Sequence, residues 1–490
     1  MEPRRADFST TLARYLSSKI TRQLIGAITA FLRPRLLTPE LFGVWTLLKL
    51  IPQYASYAHL GARTTLRVYY PWHIARGEQA RAETLVSGAI LTTLLLDLLV
   101  AAALILIALH DGQGDALRLG LVAMAGVVLL QAWHHTAFAA LKARHRFDLI
   151  GRANYLESVL LLATTLALLP TFGFYGVLWS LLITEASVGL LLWHQAGIVP
   201  RWPRRALRLG GEMIRRGWPI MSLELAMMLV VTADRVMAWV LLGASALGHY
   251  GVAVMIIGFL RNIPGTAREI LEPRLMGELA ASDHDQLLRE HLLRPALNAA
   301  FLMPLLIGPV ALATPLAIDL LLPRYQEAIV PTQILACGVH FLALALVLRS
   351  LVVAFEQQRR AARLTPAVLA AEVLVAWLAV ELGWGLEGIA TASVFGLALL
   401  FILFRHTLRP QLARLGHDER RQLDWVWPLF ALNATLIWAL SLLPLGHGPV
   451  ATALRILVHV TLFLLLHRLT RTRLALLSPL PWRRLLRLRR

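Results

Sequence analysis

Residues 84–109 read TLVSGAILTTLLLDLLVAAALILIAL, twenty-six positions with one charged residue, Asp97. As an α-helix this run is roughly 39 Å long, enough to cross the ~30 Å hydrocarbon core of a bilayer. Just upstream, residues 65–83 carry Arg67, Arg76 and Arg81; just downstream, His110 to Ala116 carries no Lys or Arg. The alternation continues along the chain. Basic clusters recur at 142–152 (Lys142, Arg144, Arg146, Arg152) and 197–217 (Arg201, Arg204, Arg205, Arg208, Arg215, Arg216), while the connectors Pro170–Tyr175 and Gly243–His249 have none. A chain that crosses a membrane repeatedly produces this pattern, because Lys and Arg are retained on the cytoplasmic side.

Composition agrees. The 490 residues are 57% hydrophobic and 16% charged, with a mean hydropathy of +0.63, whereas soluble chains carry about 25% charged residues. The net charge of +19 would suggest nucleic acid in a soluble protein; here it reads as topology facing anionic headgroups, with no nucleic-acid partner. Cys337 is the single cysteine, which excludes an intramolecular disulfide or a thiolate metal cluster. No metal site and no bound cofactor is expected. His134-His135 does not make one, because adjacent helical side chains diverge by about 100°. Met1–Ser9 lacks a cleavable signal pattern, so the first span is expected to stay in the protein.

Fourteen spans are predicted, near 12–32, 41–64, 84–109, 118–141, 153–169, 176–196, 218–242, 246–264, 295–321, 329–354, 365–381, 387–404, 425–443 and 449–466. An even count puts both termini on one side, and the arginine-rich tail Pro481–Arg490 makes that side the cytoplasm. The tally supports the count: 35 of 48 Lys and Arg fall on that side, only Arg33, Arg35 and Arg324 on the other, and ten within spans.

A faint duplication is visible. Leu37–Trp45 and Leu242–Tyr250 open spans two and eight, 205 positions apart, with Gly43 matching Gly248; Gly173–Ser180 and Gly385–Ala392 open spans six and twelve, 212 apart. This predicts two six-helix lobes in a parallel repeat, spans 1–6 in residues 1–205 and spans 7–12 in 206–410, with spans 13–14 and a basic tail in 411–490.

Arg35-x-Leu-Thr-Pro-Glu-Leu-Phe-Gly43, Gly61-x-Arg63-x-Thr-Leu-Arg67, Asp234-Arg235 followed by Leu242-Gly-x-x-x-Leu-Gly-x-Tyr250, and Leu322-Pro-x-Tyr325-x-x-Ala328 resemble the polysaccharide-exporter branch of the multidrug/oligosaccharidyl-lipid/polysaccharide (MOP) superfamily, which includes the O-antigen flippases. The resemblance implies an all-α, MATE-like polytopic fold in a bacterial inner membrane. It also implies a role in O-antigen, capsule or exopolysaccharide synthesis: moving an undecaprenyl-diphosphate-linked glycan to the outer leaflet, beside the glycosyltransferases and polymerase of the same pathway.

Charges inside spans mark candidate sites, because each costs at least ~2.5–3.5 kcal/mol at the bilayer centre. Arg14, Ser18 and Arg22 share one helix face of span one, flanked by Lys19; span two adds Lys49, and span eight ends in Arg261. Several arginines lining one cavity would suit the oxygens of a diphosphate. Near the cytoplasmic end, Arg14, Lys19 and Arg261 could equally snorkel to the interface. The resemblance extends to the peptidoglycan-precursor flippase, whose essential cations lie on its first, second and eighth spans; Arg14, Arg22, Lys49 and Arg261 occupy those spans here. Arg33 and Arg35, at the outer end of span one, are candidates to receive the headgroup after translocation. Glu224, Asp234 and Asp97 are candidates to couple transport to a proton or sodium gradient. Asp97 is also a candidate for a helix-packing hydrogen bond, and Asp234 for a local pair with Arg235. No nucleotide-binding loop is present. Two other classes compete: an organic-cation exporter, disfavoured by the basic stripe of span one, and a lipid-dependent glycosyltransferase or polymerase, disfavoured by the short outward loops.

Overall fold

The computed structural model describes residues 23–470, except 24, 111–113, 145, 196–205, 280–287 and 447. The candidate cations Arg14, Lys19 and Arg22 lie outside the described residues. Among the described residues there is no strand.

The helices are α1 (25–36), α2 (Pro39–Leu48), α3 (Leu50–Ala55), α4 (Ala62–Ala75), α5 (Gln79–Ala108), α6 (Asp115–Ala143), α7 (Phe147–Gln195), α8 (Ala206–Leu279), α9 (Arg294–Leu321), α10 (Ile329–Ala354), α11 (Gln358–Glu381), α12 (Gly385–Thr407), α13 (Val426–Leu442) and α14 (Pro449–Thr470). Helices α7 and α8 are too long for one crossing, and each breaks at a glycine of positive φ: Gly173 (φ 55°) and Gly243 (φ 87°). The chain reverses at both. Ile150 and Leu192 share one buried core, though a straight helix would hold them about 63 Å apart. Tyr250 reaches Asp234 across the second break. The connectors expected at 170–175 and 243–249 are therefore single-glycine reversals of a nearly continuous helix. Counting each of these helices as two and α2–α4 as one, the described residues hold fourteen helical segments, the first of them only in part.

The second span differs most from expectation. It breaks after α3, and α4 carries the helix on to Ala75, beyond the expected end at 64. The intervening turn keeps its polar groups bonded: the Gly61 N–H donates to His59 Nδ1 at 2.9 Å, and Arg63 donates to the Ser56 carbonyl. Broken backbone at membrane depth is tolerated only with such internal partners. Gly61 has φ 106°, and a Cβ there would lie 2.5 Å from the backbone of Gly217.

The chain divides into two compact units. The first runs to Leu225 and includes Gly243–Gly248; the second holds Ala226–Leu242 and everything from His249 onward. The core of the first packs small residues of α4–α7, among them Ala62, Ala82, Ala89, Ala137, Ala140 and Ala153, which let helix backbones approach closely. In the second, α10 is the central helix: 83% of its span is buried, against 22% for α14. Large apolar side chains cover the outside, among them Leu106, Val240 and Trp438, as suits a surface solvated by lipid. This is a multipass membrane protein.

Basic segments expected on one side do meet. Arg144 binds Glu83 at 2.6 Å and Tyr70 at 3.1 Å, and Arg216 lies over the Tyr69 ring. In the second unit Arg289 pairs with Glu419 at 2.7 Å.

The duplicated motifs also touch, within the first unit. A Cβ on Gly43 would lie 1.8 Å from the carbonyl oxygen of Ala244, and one on Gly248 would lie 1.8 Å from that of Pro39. Position 39 corresponds to 244 at the same 205-residue offset that pairs 43 with 248, so the contact is reciprocal. Gly43→Ala or Gly248→Ala should each lower stability by about 1–3 kcal/mol or more through overpacking. Gly258→Ala, with open space around it, should be neutral or stabilising. Thermal unfolding of the purified protein, followed by tryptophan fluorescence, separates the two classes.

Candidate functional site: a buried charge network

The second unit concentrates its in-span charge around Asp234. The two arms of α8 place Asp234 and Arg235 opposite Tyr250 and Arg261; α11 brings Glu372 and α12 brings Ser393. Tyr250 OH donates to Asp234 Oδ2 at 2.9 Å, and Ser393 Oγ donates to the same oxygen at 3.4 Å. The Arg235 backbone N–H donates to Asp234 Oδ1 at 2.8 Å, with the Arg235 Nε 3.8 Å from that oxygen. The expected local pair is present, inside a larger network.

Arg261 and Ser393 line a cavity of about 10 Å³ with Val231, Ile257, Leu335 and Val339, at the lower limit for one water molecule. Arg261 lies within electrostatic reach of Asp234, Arg235 and Glu372. Glu372 is 1% exposed, and neither carboxylate oxygen has a hydrogen-bond partner. It packs on Gly396, where a Cβ would come within 2.4 Å of Oε2. Two guanidinium groups and two carboxyl groups thus share a water-poor interior. Removing one member of such a buried group costs more than removing an exposed one.

The first unit has its own buried charges. Asp97 is 3% exposed with Oδ1 unbonded, and its electrostatic neighbour is Arg63 of α4. On α6 and α7, Glu185 accepts from Gln131 Nε2 at 2.8 Å and contacts His134 Nδ1 at 2.9 Å. The histidine tandem is therefore split, with His134 serving a carboxylate. Arg33 is buried against the Trp45 ring at 4.6 Å, whereas Arg35 is exposed. Lys49 is exposed where α2 breaks from α3. Glu224 is partly buried and falls in the first unit. Another in-span cation has a structural role: Arg455 donates to the carbonyl of Leu443 at 2.7 Å.

Sequence reasoning singled out Asp234, Asp97 and Arg261 but assigned no role to Arg63, Tyr250, Glu372 or Ser393. The first two sit inside the quoted family motifs, which was the available signal. Ser393 lies 159 residues from Asp234, and no sequence spacing announces that pairing. Asp234→Ala should leave Arg235 and Arg261 facing one carboxylate and lower stability by about 3–5 kcal/mol. Adding Arg261→Met should restore part of that loss in the same unfolding measurement.

A family model described as "Polysaccharide biosynthesis protein" matches residues 34–330. No curated protein matches the chain by sequence. Among solved structures, the lipid II flippase MurJ in an inward-closed conformation superposes with a TM-score of 0.69 at 10% identity, over 94% of this chain and 99% of that one. An inward-facing multidrug-resistance MATE transporter of the MOP superfamily gives 0.54 at 16%, over 82% and 98%. A MOP superfamily transporter from Pyrococcus furiosus, described as having a binding pocket of reverse polarity, gives 0.52 at 15%, over 83% and 94%. At these identities the likeness establishes the fold, and the MATE-like architecture expected from the sequence is the one observed. With the family model covering more than half of its length, the chain belongs to the polysaccharide biosynthesis protein family.

Proposed function

We propose that this protein is a flippase for an undecaprenyl-diphosphate-linked oligosaccharide, moving it from the cytoplasmic to the outer leaflet by alternating access for O-antigen, capsule or exopolysaccharide synthesis. The observation that carries the reading is membership of a polysaccharide biosynthesis family; the fold shared with a lipid II flippase supports it. Both termini are assigned to the cytoplasm of a bacterial inner membrane, in support of which stands the 35-to-3 distribution of basic residues. Arg14, Lys19, Arg22, Lys49 and Arg261 are assigned to the lipid diphosphate, and Arg33 and Arg35 to its outward release. Each bidentate guanidinium can neutralise two diphosphate oxygens.

Asp234 is the favoured coupling group, with Glu372 as its neighbour. Its ligands come from both arms of α8 and from α12, so a proton or sodium ion arriving there would change the charge balance of all of them at once. Asp97 and Glu224 are the other candidates. The glycosyltransferases and polymerase of the pathway are the assigned partners, since a flippase consumes the product of one and feeds the other.

Reconstitution tests the reading. Proteoliposomes loaded with a fluorescent undecaprenyl-diphosphate oligosaccharide should expose it to an outside quencher at a protein-dependent rate. Lys49→Gln and Arg22→Gln should each slow that rate by roughly 10–100-fold, the range of one lost charge-assisted hydrogen bond of ~1.5–3 kcal/mol. A rate equal to that of empty liposomes would overturn the proposal. The competing organic-cation exporter, favoured by the MATE likeness, is separated by Arg14→Glu/Arg22→Glu. The flippase reading requires loss of glycan display with dye efflux unchanged; the exporter reading requires the reverse.

A further inference from the structure

The second unit carries a basic pocket that the transport reading does not use. It lies where α12 ends and the connector to α13 begins. Arg405, His406, Arg409 and Arg420 line a cavity of about 390 Å³ over the apolar side chains of Leu412 and Leu423. We propose that this pocket holds the phosphate headgroup of an anionic membrane phospholipid as a resident of the protein, apart from the transported lipid.

Charge is the first support. Asp424 binds Arg405 at 2.7 Å, but Arg409 and Arg420 have no acidic partner among the described residues. Cations at the end of α12 complement its dipole, which accounts for Arg405 and His406. That effect does not account for Arg420, which comes from the short helix His417–Gln422. The connector is held in place independently: Glu419 binds Arg289 at 2.7 Å and accepts from the Gly416 N–H at 3.0 Å. Arg420 is therefore presented on a fixed segment, which lowers the entropic cost of binding an anion. Guanidinium groups suit phosphate oxygens, which they bind bidentately.

Shape is the second support, and it selects a lipid over a soluble anion. Ile402, Arg405 and His406 form one stripe at the end of α12, and Arg409 opens the short helix that follows, Arg409–Leu412. Ile402, also lining the pocket, is 43% exposed on the apolar side of that stripe. Exposed Trp425 and Trp427 follow the connector, where aromatic side chains mark the membrane–water interface. A ligand with a phosphate at the basic rim and an acyl chain along Ile402 fits both ends of the pocket. Basic pockets between spans at this depth are general headgroup sites.

The test uses the full-length protein in mild detergent, titrated separately with phosphatidylglycerol and phosphatidylethanolamine and read by native mass spectrometry. The wild type should retain phosphatidylglycerol preferentially. Arg409→Gln/Arg420→Gln should lower its occupancy about 25-fold, about fivefold for each arginine removed. Arg409→Lys/Arg420→Lys should keep most of it. Arg359→Gln/Arg360→Gln, the same loss of charge at exposed positions away from the pocket, should retain it fully. Competition arms with undecaprenyl diphosphate and with inorganic phosphate identify the source of the phosphate. Equal retention of the two phospholipids by the wild type overturns the proposal whatever the variants do. Equal loss in pocket and control variants also overturns it, as does preferential capture of undecaprenyl diphosphate or inorganic phosphate. Because binding is read without transport, failure here leaves the flippase assignment standing, and the reverse holds too.

Discussion

A backbone amide inside hydrocarbon has no water to bond to, and every departure from helix in this chain is shaped by that constraint. The second span shows it most directly. Between Ala55 and Ala62 the helix is broken, and the chain supplies replacements from within: a histidine ring nitrogen for the Gly61 N–H and a guanidinium for the Ser56 carbonyl. The two reversals solve the same problem differently. At Gly173 and Gly243 a single residue of positive φ turns the chain, so almost no backbone leaves the helical bonding scheme. Long helices and short turns share one cause.

The same scarcity of water governs the charges. Arg63 answers Asp97, Arg235 and Arg261 answer Asp234 and Glu372, His134 answers Glu185, and Arg455 caps a carbonyl. None of these would be worth much on a wet surface. Between lipid-facing helices each becomes obligatory, since removing one member strands the other. A buried ion network of this kind therefore serves two ends: it fixes how helices pack, and it leaves the packing sensitive to a single added or removed charge.

How much of this was legible follows from the range of each interaction. Hydropathy and loop charge are local properties, so the apolar crossings could be read directly, and two of the basic segments meet where Arg144 binds Glu83. The break at 56–61 was not legible, because Ser56–Gly61 is apolar enough to pass for helix and its nearest proline, Pro52, lies inside α3. Hydropathy does not register φ, so the reversals at Gly173 and Gly243 read as short loops in the sequence. Asp97 and Asp234 stood out as charges in apolar runs. Their partners did not, since Ser393 and Glu372 reach Asp234 only through tertiary packing of helices far apart in the chain.

The reciprocal contact of Gly43 and Gly248 carries a consequence for descent. Where two matching motifs touch through equivalent residues, neither can drift alone. A side chain gained at position 43 collides with the carbonyl of residue 244, and one gained at 248 collides with that of residue 39. A tolerated change on one side therefore requires an answering change on the other. Selection at such a point therefore acts on the pair.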